Sequence, residues 1–127
     1  MRTLEQFLER LRPYRGVSYV YRPCIGYVAW RVATGENLEI LFIRAAESGK
    51  GHGGRVLREM VTQITLAGPE PYHSVFAYRL ASNADAERFY CRLGFHEIAL
   101  GQSIYRDDGT VLVWIPWSEL IERLKKC

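Results

Sequence analysis

The sequence has no long apolar run, few cysteines and little excess charge, and each absence excludes a class of protein. No segment approaches the ~20 apolar residues of a membrane helix, and the N-terminus has no signal-peptide pattern. We therefore expect a cytoplasmic protein without a membrane partner. The three cysteines, Cys24, Cys91 and Cys127, are scattered without a C-x-x-C pair. This arrangement predicts free thiols rather than a disulfide framework or a zinc site.

The charge of the chain is nearly balanced, with 17 lysines and arginines against 14 acidic residues. The arginines are spread along the chain instead of forming a basic patch, so we do not expect nucleic-acid binding as the main function. The three histidines have no metal-ligand spacing, and we predict no metal site. With 127 residues, the chain is long enough for one domain, which we expect to cover 1–127.

Apolar periodicity divides the chain into four helices and six strands. Thr3 and Gln6 have the spacing of a capping box at the start of a helix. Helices are predicted over 3–12, 56–68, 83–93 and 118–126, and strands over 17–21, 24–32, 38–43, 74–80, 95–100 and 110–115. Turn residues precede the strand 38–43, and a second turn is predicted at 107–109. The strand 38–43 is apolar on both faces except for Glu39, which is typical of a central, covered strand. The strand–helix–strand series predicts a parallel crossover within a mixed α/β sheet.

A glycine-rich turn follows that central strand and leads directly into a helix. The turn reads Ser48-Gly-Lys-Gly-His-Gly-Gly54. Glycines let the backbone curl tightly and approach a ligand, and the helix that follows presents free N–H groups and the positive end of its dipole. These features favour binding of a phosphate group. Lys50 and Arg55 would add positive charge beside it.

Three kinds of site use such a turn, and a ligand-free surface loop is the plain alternative. The P-loop is excluded because Gly54 is followed by Arg55 and Val56 instead of Lys and Ser or Thr. A dinucleotide fingerprint is formally present at Gly49, Gly51 and Gly54. However, three strands precede it, and the next strand ends without an acidic residue. The third kind of site, for an acyl coenzyme, depends on two longer motifs.

Two stretches of the chain resemble motifs of the GNAT N-acetyltransferase superfamily. The first covers 38–57 and looks like the acyl-CoA motif, a strand followed by R/Q-x-x-G-x-G/A and a helix. The second, Asn83-Ala-Asp-Ala-Glu-Arg-Phe-Tyr-Cys-Arg-Leu-Gly-Phe95, resembles N-x-x-A-x-x-F-Y-x-K/R-x-G-F. Their order agrees with the family pattern, and the resemblance extends over about 17–116. Ser48 departs from the pattern, because the family usually has arginine or glutamine there.

The resemblance implies a fold and a coenzyme. The fold is a mixed, mostly antiparallel sheet with helices on both faces and a parallel β-α-β unit whose strands splay apart. We find no counterpart of the family's first strand. The implied cosubstrate is acetyl-CoA, with no metal. The implied coenzyme-binding residues are Phe42, Ile43, Ser48, Gly49, Lys50, Gly51, His52, Gly53, Gly54, Arg55, Asn83 and Tyr90.

The implied reaction is N-acylation by direct attack of a primary amine on the thioester, without an acyl-enzyme. Tyr90 matches the family tyrosine that protonates the departing thiolate, although an apolar helix face alone would explain a core tyrosine. The Ile43 N–H is a candidate oxyanion donor. Glu39, the lone charge in the central strand, is the candidate general base; pairing with a nearby arginine is the alternative.

The sequence leaves alternatives open for the function and for three individual residues. A degenerate domain that binds acyl-CoA without turnover, as a sensor or interaction module, is the alternative to the enzyme. The acceptor, a small molecule or a protein amine, is not identified by the sequence. Trp114 and Trp117 are compatible with a homodimer contact or with the core. Asn83 is compatible with a coenzyme contact or with a helix cap.

Overall fold

The computed structural model describes residues 1–68, 72–98 and 109–126. Within these ranges the helices are α1 (Leu4–Leu11), α2 (His52–Ala67), α3 (Ala84–Arg92) and α4 (Trp117–Lys125). The strands are β1 (Val17–Arg22), β2 (Gly26–Val32), β3 (Asn37–Ala45), β4 (Ser74–Leu80), β5 (His96–Glu97) and β6 (Thr110–Pro116). Helix α1 begins at the predicted capping box: the Thr3 hydroxyl accepts from the Gln6 N–H at 3.2 Å, and the Gln6 amide oxygen accepts from the Thr3 N–H at 2.9 Å.

The strands form one sheet in the order β1-β2-β3-β4-β6-β5. All neighbours are antiparallel except β3 and β4, which are parallel and joined through α2. The predicted mixed, mostly antiparallel sheet with one parallel β-α-β unit is therefore confirmed. In the described part of the chain no strand precedes β1, which forms one edge of the sheet.

Helices cover the two faces of the sheet unequally. Alternate residues of a strand face opposite sides, and the buried residues divide into two clusters accordingly. The larger cluster contains Val28 and Trp30 of β2 together with residues of α2, α3 and α4. The smaller one contains Tyr27 and Ala29 of β2 together with Phe7 and Leu11 of α1. The three later helices thus lie on one face, which we call the α2 face, and α1 lies on the other, the α1 face.

The prediction that the central strand is covered on both faces is wrong in part. Leu38 and Ile40 of β3 are buried under α2, but Glu39 and Phe42 on the α1 face are only half-buried. The short helix α1 covers mainly β1 and β2, so the α1 face of β3 keeps access to solvent. Trp117 packs against the larger cluster, while Trp114 is half-buried with its ring centroid 5.0 Å from that of His96.

Several sequence predictions fall only partly on described residues. The strand predicted over 95–100 is present at His96–Glu97, and the remainder of its range from 99 lies outside the described residues, as do 107–108 of the predicted turn.

Cys24 and Cys91 are free and exposed. None of the helices in the described ranges is both long and apolar enough to cross a membrane. Over the same ranges, no three His, Cys, Asp or Glu side chains are grouped so that they could hold a metal ion.

Candidate functional site

The sheet opens between β3 and β4 towards their carboxyl ends. The two strands are paired only over 37–40 and 74–77. Beyond that point β3 stays paired with β2 and β4 stays paired with β6, but they are no longer paired with each other. Residues 41–45 and 78–80 therefore border a gap, which we call the opening. Backbone groups that face it have no strand partner and can bind a ligand.

A β-bulge in β3 lies where the opening begins. Ala29 of β2 is paired with Phe42, whereas the next residue, Trp30, is paired with Ile40, so Leu41 is the extra residue. A bulge bends its strand and increases the local twist, which favours separation of β3 from β4. The sequence analysis did not predict this bulge, because an extra residue leaves no mark in an uninterrupted apolar run.

The glycine turn, residues 48–54, connects β3 to α2 beside the opening. Gly49 and Gly51 have φ of 75° and 74°, in the left-handed region that side chains other than glycine rarely adopt. Gly51 is the N-cap of α2 and provides no side-chain hydrogen bond. Its carbonyl oxygen accepts from the Arg55 N–H at 3.1 Å. The N–H groups of residues 52–54 therefore precede the first intrahelical bond and are the free donors of this helix.

The surroundings of the glycine turn are open and positively charged. A Cβ atom placed at Gly49 or Gly51 would meet no other atom within 4 Å. Lys50 and Arg55 are exposed, and so is Ser48, whose hydroxyl cannot replace the charge of an arginine. His52 is half-buried, and its Nδ1 is buried with no hydrogen-bond partner among the described residues. The turn thus offers backbone donors and two cationic side chains to an anion.

Gly53 has a packing role besides its position in the turn. A Cβ atom at this residue would lie 2.5 Å from Cε1 of Phe89, which is closer than carbon atoms can approach. Gly53 therefore allows α3 to pack closely against the first turn of α2. In contrast, a Cβ atom at Gly54 would meet only Nη1 of Arg58, at 3.8 Å. Gly54 is the residue of the turn where a side chain can be added without a clash or a left-handed φ.

Tyr90 lies on α3 in the larger core cluster, on the α2 face of the sheet. Its ring centroid is 5.3 Å from that of Phe89 and 4.9 Å from that of Phe95. Burial raises the pKa of the phenol above its ordinary value of about 10. The hydroxyl therefore stays protonated at neutral pH and can donate a hydrogen bond to a developing anion.

Asn83 is the N-cap of α3. Its side-chain oxygen accepts from the Ala86 N–H at 3.0 Å. The capping alternative is thus confirmed, while a coenzyme contact by the side-chain amide of Asn83 stays a prediction. Because an N-cap satisfies one of the free N–H groups of the helix, Asn83 fixes the start of the helix that carries Tyr90.

Glu39 lies on the α1 face of β3, in the last stretch where β3 is still paired with β4. Its Oε1 accepts from Nη2 of Arg31 at 2.9 Å and from Nε of Arg31 at 3.0 Å. The two residues are direct neighbours on β2 and β3. The pairing with an arginine that the sequence left as an alternative is therefore present, and it uses only one of the two carboxylate oxygens.

Phe42 and Ile43 present their side chains to different faces of the sheet. The Phe42 ring packs against the smaller core cluster on the α1 face, and the Arg10 guanidinium lies 4.2 Å from the centroid of the ring. Ile43 packs against the larger cluster on the α2 face. Both residues lie beyond the last β3–β4 pair, so their backbone runs along the opening, and their contact with a coenzyme stays a prediction.

A protein-family comparison decides the family of the chain. The family model described as FR47-like protein matches residues 23–115. This range includes β2 to β6, the opening and the glycine turn. The chain belongs to the FR47-like family. Both motifs quoted for the GNAT resemblance lie inside the matched range of this GNAT-related family, so that resemblance is confirmed. None of the curated proteins matches the sequence.

Solved structures of GNAT acetyltransferases share the fold of this FR47-like chain. The N-acetyltransferase PseH of Campylobacter jejuni, in complex with acetyl coenzyme A, is 20% identical with a TM-score of 0.59, over 89% of this chain and 77% of that one. A GNAT family acetyltransferase from Elizabethkingia anophelis with acetyl-CoA bound is 16% identical with a TM-score of 0.60, over 90% and 83%. The PaiA N-acetyltransferase of Thermoplasma acidophilum, in complex with coenzyme A, is 15% identical with a TM-score of 0.63, over 90% and 69%.

Proposed function

We propose that this FR47-like chain is an acetyl-CoA-dependent N-acyltransferase that transfers an acetyl group to a primary amine. The observation that carries the proposal is the opening between β3 and β4 beside the uncapped start of α2. An elongated ligand with a pyrophosphate at one end fits this combination, because the turn binds anions and the opening offers unpaired backbone. Two similar structures hold acetyl-CoA, which supports the same choice of ligand here.

The residues around the glycine turn fit the charge and shape of coenzyme A. The N–H groups of residues 52–54 would hold the pyrophosphate, with Lys50 and Arg55 beside it. The pantetheine arm would lie in the opening against the backbone of Phe42 and Ile43. When bound, acetyl-CoA supplies an activated acetyl thioester. The coenzyme has space beside Gly49 and Gly51, because a Cβ atom added at either residue would meet nothing within 4 Å.

Protein groups near the opening would accelerate attack by the amine. The backbone N–H of Ile43 is the proposed donor to the oxygen that gains negative charge, and one such donor is typically worth about 2.7–4 kcal/mol. Tyr90, kept protonated by burial, donates a hydrogen bond to the departing thiolate. Holding the amine and the thioester in one site supplies the remaining acceleration through proximity and orientation.

Glu39 is the proposed group that removes a proton from the acceptor. An ammonium ion must lose a proton before attack, and Oε2 of Glu39 does not take part in the Arg31 pair. We expect Glu39→Gln to lower kcat at neutral pH about 100-fold, with little change in acetyl-CoA affinity. The loss should diminish as the pH approaches about 10, where amines lose the proton unaided. Initial rates from pH 6 to 10 measure this.

Glu36→Gln is the matched control for the Glu39 variant. Glu36 is an exposed carboxylate in the turn just before the same strand, paired with His73 at 2.6 Å. The Glu36→Gln variant should have the same pH dependence of kcat as the wild-type protein. If the loss of kcat in Glu39→Gln is the same at every pH from 6 to 10, Glu39 only holds Arg31 in place and does not move a proton.

The experiment that tests the function combines binding with turnover. Calorimetry should detect acetyl-CoA binding, and thiol release should depend on an added amine when small amines and peptide N-termini are supplied as a panel. Binding without amine-dependent thiol release would favour the sensor or interaction module, which the exposed Ser48 motivates. Affinity for NAD or NADP with none for coenzyme A would favour the dinucleotide alternative instead.

A further inference from the structure

Arg58 lies one helical turn beyond the glycine turn, on the same side of α2 as Gly54. Residues four positions apart lie above one another on a helix, and side chains lean towards its N-terminus. The distance agrees, because Nη1 of Arg58 is 3.8 Å from the Cβ position of Gly54. The guanidinium of Arg58 therefore lies beside the free N–H groups at the start of α2, where Gly54 leaves room for it.

Within residues 1–68, 72–98 and 109–126, no carboxylate forms a salt bridge with the Arg58 guanidinium. Nη1 is buried and has no hydrogen-bond partner in the described ranges. Several other arginines do have carboxylate partners, including Arg22 with Glu59, Arg31 with Glu39 and Arg79 with Glu97. Glu59, the acidic neighbour of Arg58 in sequence, accepts from Arg22 at 2.8 Å. A buried N–H of a permanently charged group is normally paired, so an unpaired one beside a helix N-terminus points to an anion that completes it.

We propose that Arg58 binds the pyrophosphate of the coenzyme and supplies the positive charge that Ser48 lacks. This inference rests on the proposed function, since it assumes that acetyl-CoA binds at the glycine turn. The planar fork of N–H groups of a guanidinium matches the oxygens of a phosphate. Ser48 at the beginning of the turn is exposed and neutral. The coenzyme would therefore be held by Arg58, which lies on the helix that follows the glycine turn. Neither of the two sequence motifs includes this residue.

The test compares Arg58→Met with the wild-type protein by calorimetry, with coenzyme A and with dephospho-coenzyme A as probes. We expect both affinities to fall by the same factor, about 10- to 100-fold for one charge-assisted hydrogen bond. The melting temperature of the free protein should stay the same or rise, because the variant removes an unpaired charge. The steady-state kcat/KM for S-acetylpantetheine, which has no pyrophosphate, should be unchanged. Arg12→Met changes the exposed C-cap residue of α1, which pairs with Glu9. It lowers the net charge equally and should leave all three measurements unchanged.

Three results would overturn the assignment of Arg58. Wild-type affinity of Arg58→Met for coenzyme A would remove it from the site. A loss confined to coenzyme A would place it at the 3′-phosphate instead, since dephospho-coenzyme A lacks only that group. A lower melting temperature together with an equal loss for S-acetylpantetheine would show a structural role. Failure of the proposed coenzyme site is distinct, because the wild-type protein would then bind neither coenzyme. Binding without amine-dependent thiol release would overturn the proposed catalysis alone and leave the affinity test of Arg58 intact.

Discussion

Replacing Gly54 with glutamate is expected to abolish detectable acetyl-CoA binding while it stabilises the free protein. The new carboxylate would lie beside the free N–H groups of α2 and next to Arg58, whose Nη1 is 3.8 Å from the Cβ position of Gly54. At an effective dielectric constant of about 20, like charges about 4 Å apart repel by roughly 4 kcal/mol. The glutamate would also occupy the Arg58 guanidinium. We expect calorimetry to show at least a 100-fold loss of affinity.

The same substitution should raise the free energy of unfolding. Gly54 has no left-handed φ and no close contact, so a side chain there adds helix propensity without strain. A carboxylate in the first turn interacts favourably with the helix dipole, and a Glu–Arg pair four residues apart adds a further increment. Together these effects amount to about 1–2 kcal/mol. Thermal unfolding without ligand should therefore show a Tm several degrees higher.

Gly54→Gln is the matched control, because glutamine has the same size without the charge. It should keep the gain in stability from helix propensity and lose far less affinity than the glutamate variant. If both variants lose affinity equally, the cause is steric and the glycine turn is a close-packed surface rather than an electrostatic site. If neither loses affinity, the pyrophosphate is not bound at the start of α2.

Tyr90→Phe should lower kcat about 100-fold and leave the affinity for acetyl-CoA within about twofold. A hydrogen bond to the negative charge that develops on the leaving thiolate is worth about 10²-fold or more, because it strengthens only in the transition state. Phenylalanine keeps the ring contacts with Phe89 and Phe95, so packing changes little. Pre-steady-state thiol release and calorimetry measure the two quantities separately. Wild-type turnover in this variant would show that Tyr90 is a core residue only.

The pH dependence gives a second check on Tyr90. Because burial raises the pKa of its phenol above about 10, the hydroxyl keeps its proton over the whole range from about pH 6 to 10. Tyr90 therefore contributes no loss of activity on the alkaline side of that range. An alkaline decline that disappears in Tyr90→Phe would contradict this. Tyr27→Phe, at a second buried tyrosine on the α1 face, controls for the loss of a hydroxyl as such.

The choice between Gly53 and Gly54 illustrates the limit of the sequence. Both belong to the glycine turn, and the motif alone favours Gly53 as the position to block with a glutamate. The structure places Gly53 against Phe89 with no room for a Cβ atom, so that variant would disturb the packing of α2 and α3 together with any binding. At Gly54, one residue later, a Cβ atom would make only an ordinary contact with Nη1 of Arg58, at 3.8 Å, so a substitution there separates the two effects.

The sequence by itself determined the order and type of the elements and the position of the glycine turn. Local signals carry this information. The capping box at Thr3 starts α1, the apolar periods define the strands, and glycines at 49 and 51 allow the left-handed φ that the turn requires. The two motifs that identified the family are also local, because each is a continuous stretch of chain in which residues meet through the spacing of one turn or one helix.

Only the tertiary structure decided how the opening arises and which side chains accompany it. A bulge at Leu41, defined by the pairing of β3 with β2, lies where β3 separates from β4, and no residue pattern along one strand records its partner's register. Likewise, the contact of Gly53 with Phe89 and the pairing of Glu39 with Arg31 join different elements. Arg58 has a buried nitrogen that finds no hydrogen-bond partner in the part of the chain that the structure describes. Burial and pairing depend on everything packed nearby, which the order of residues does not state.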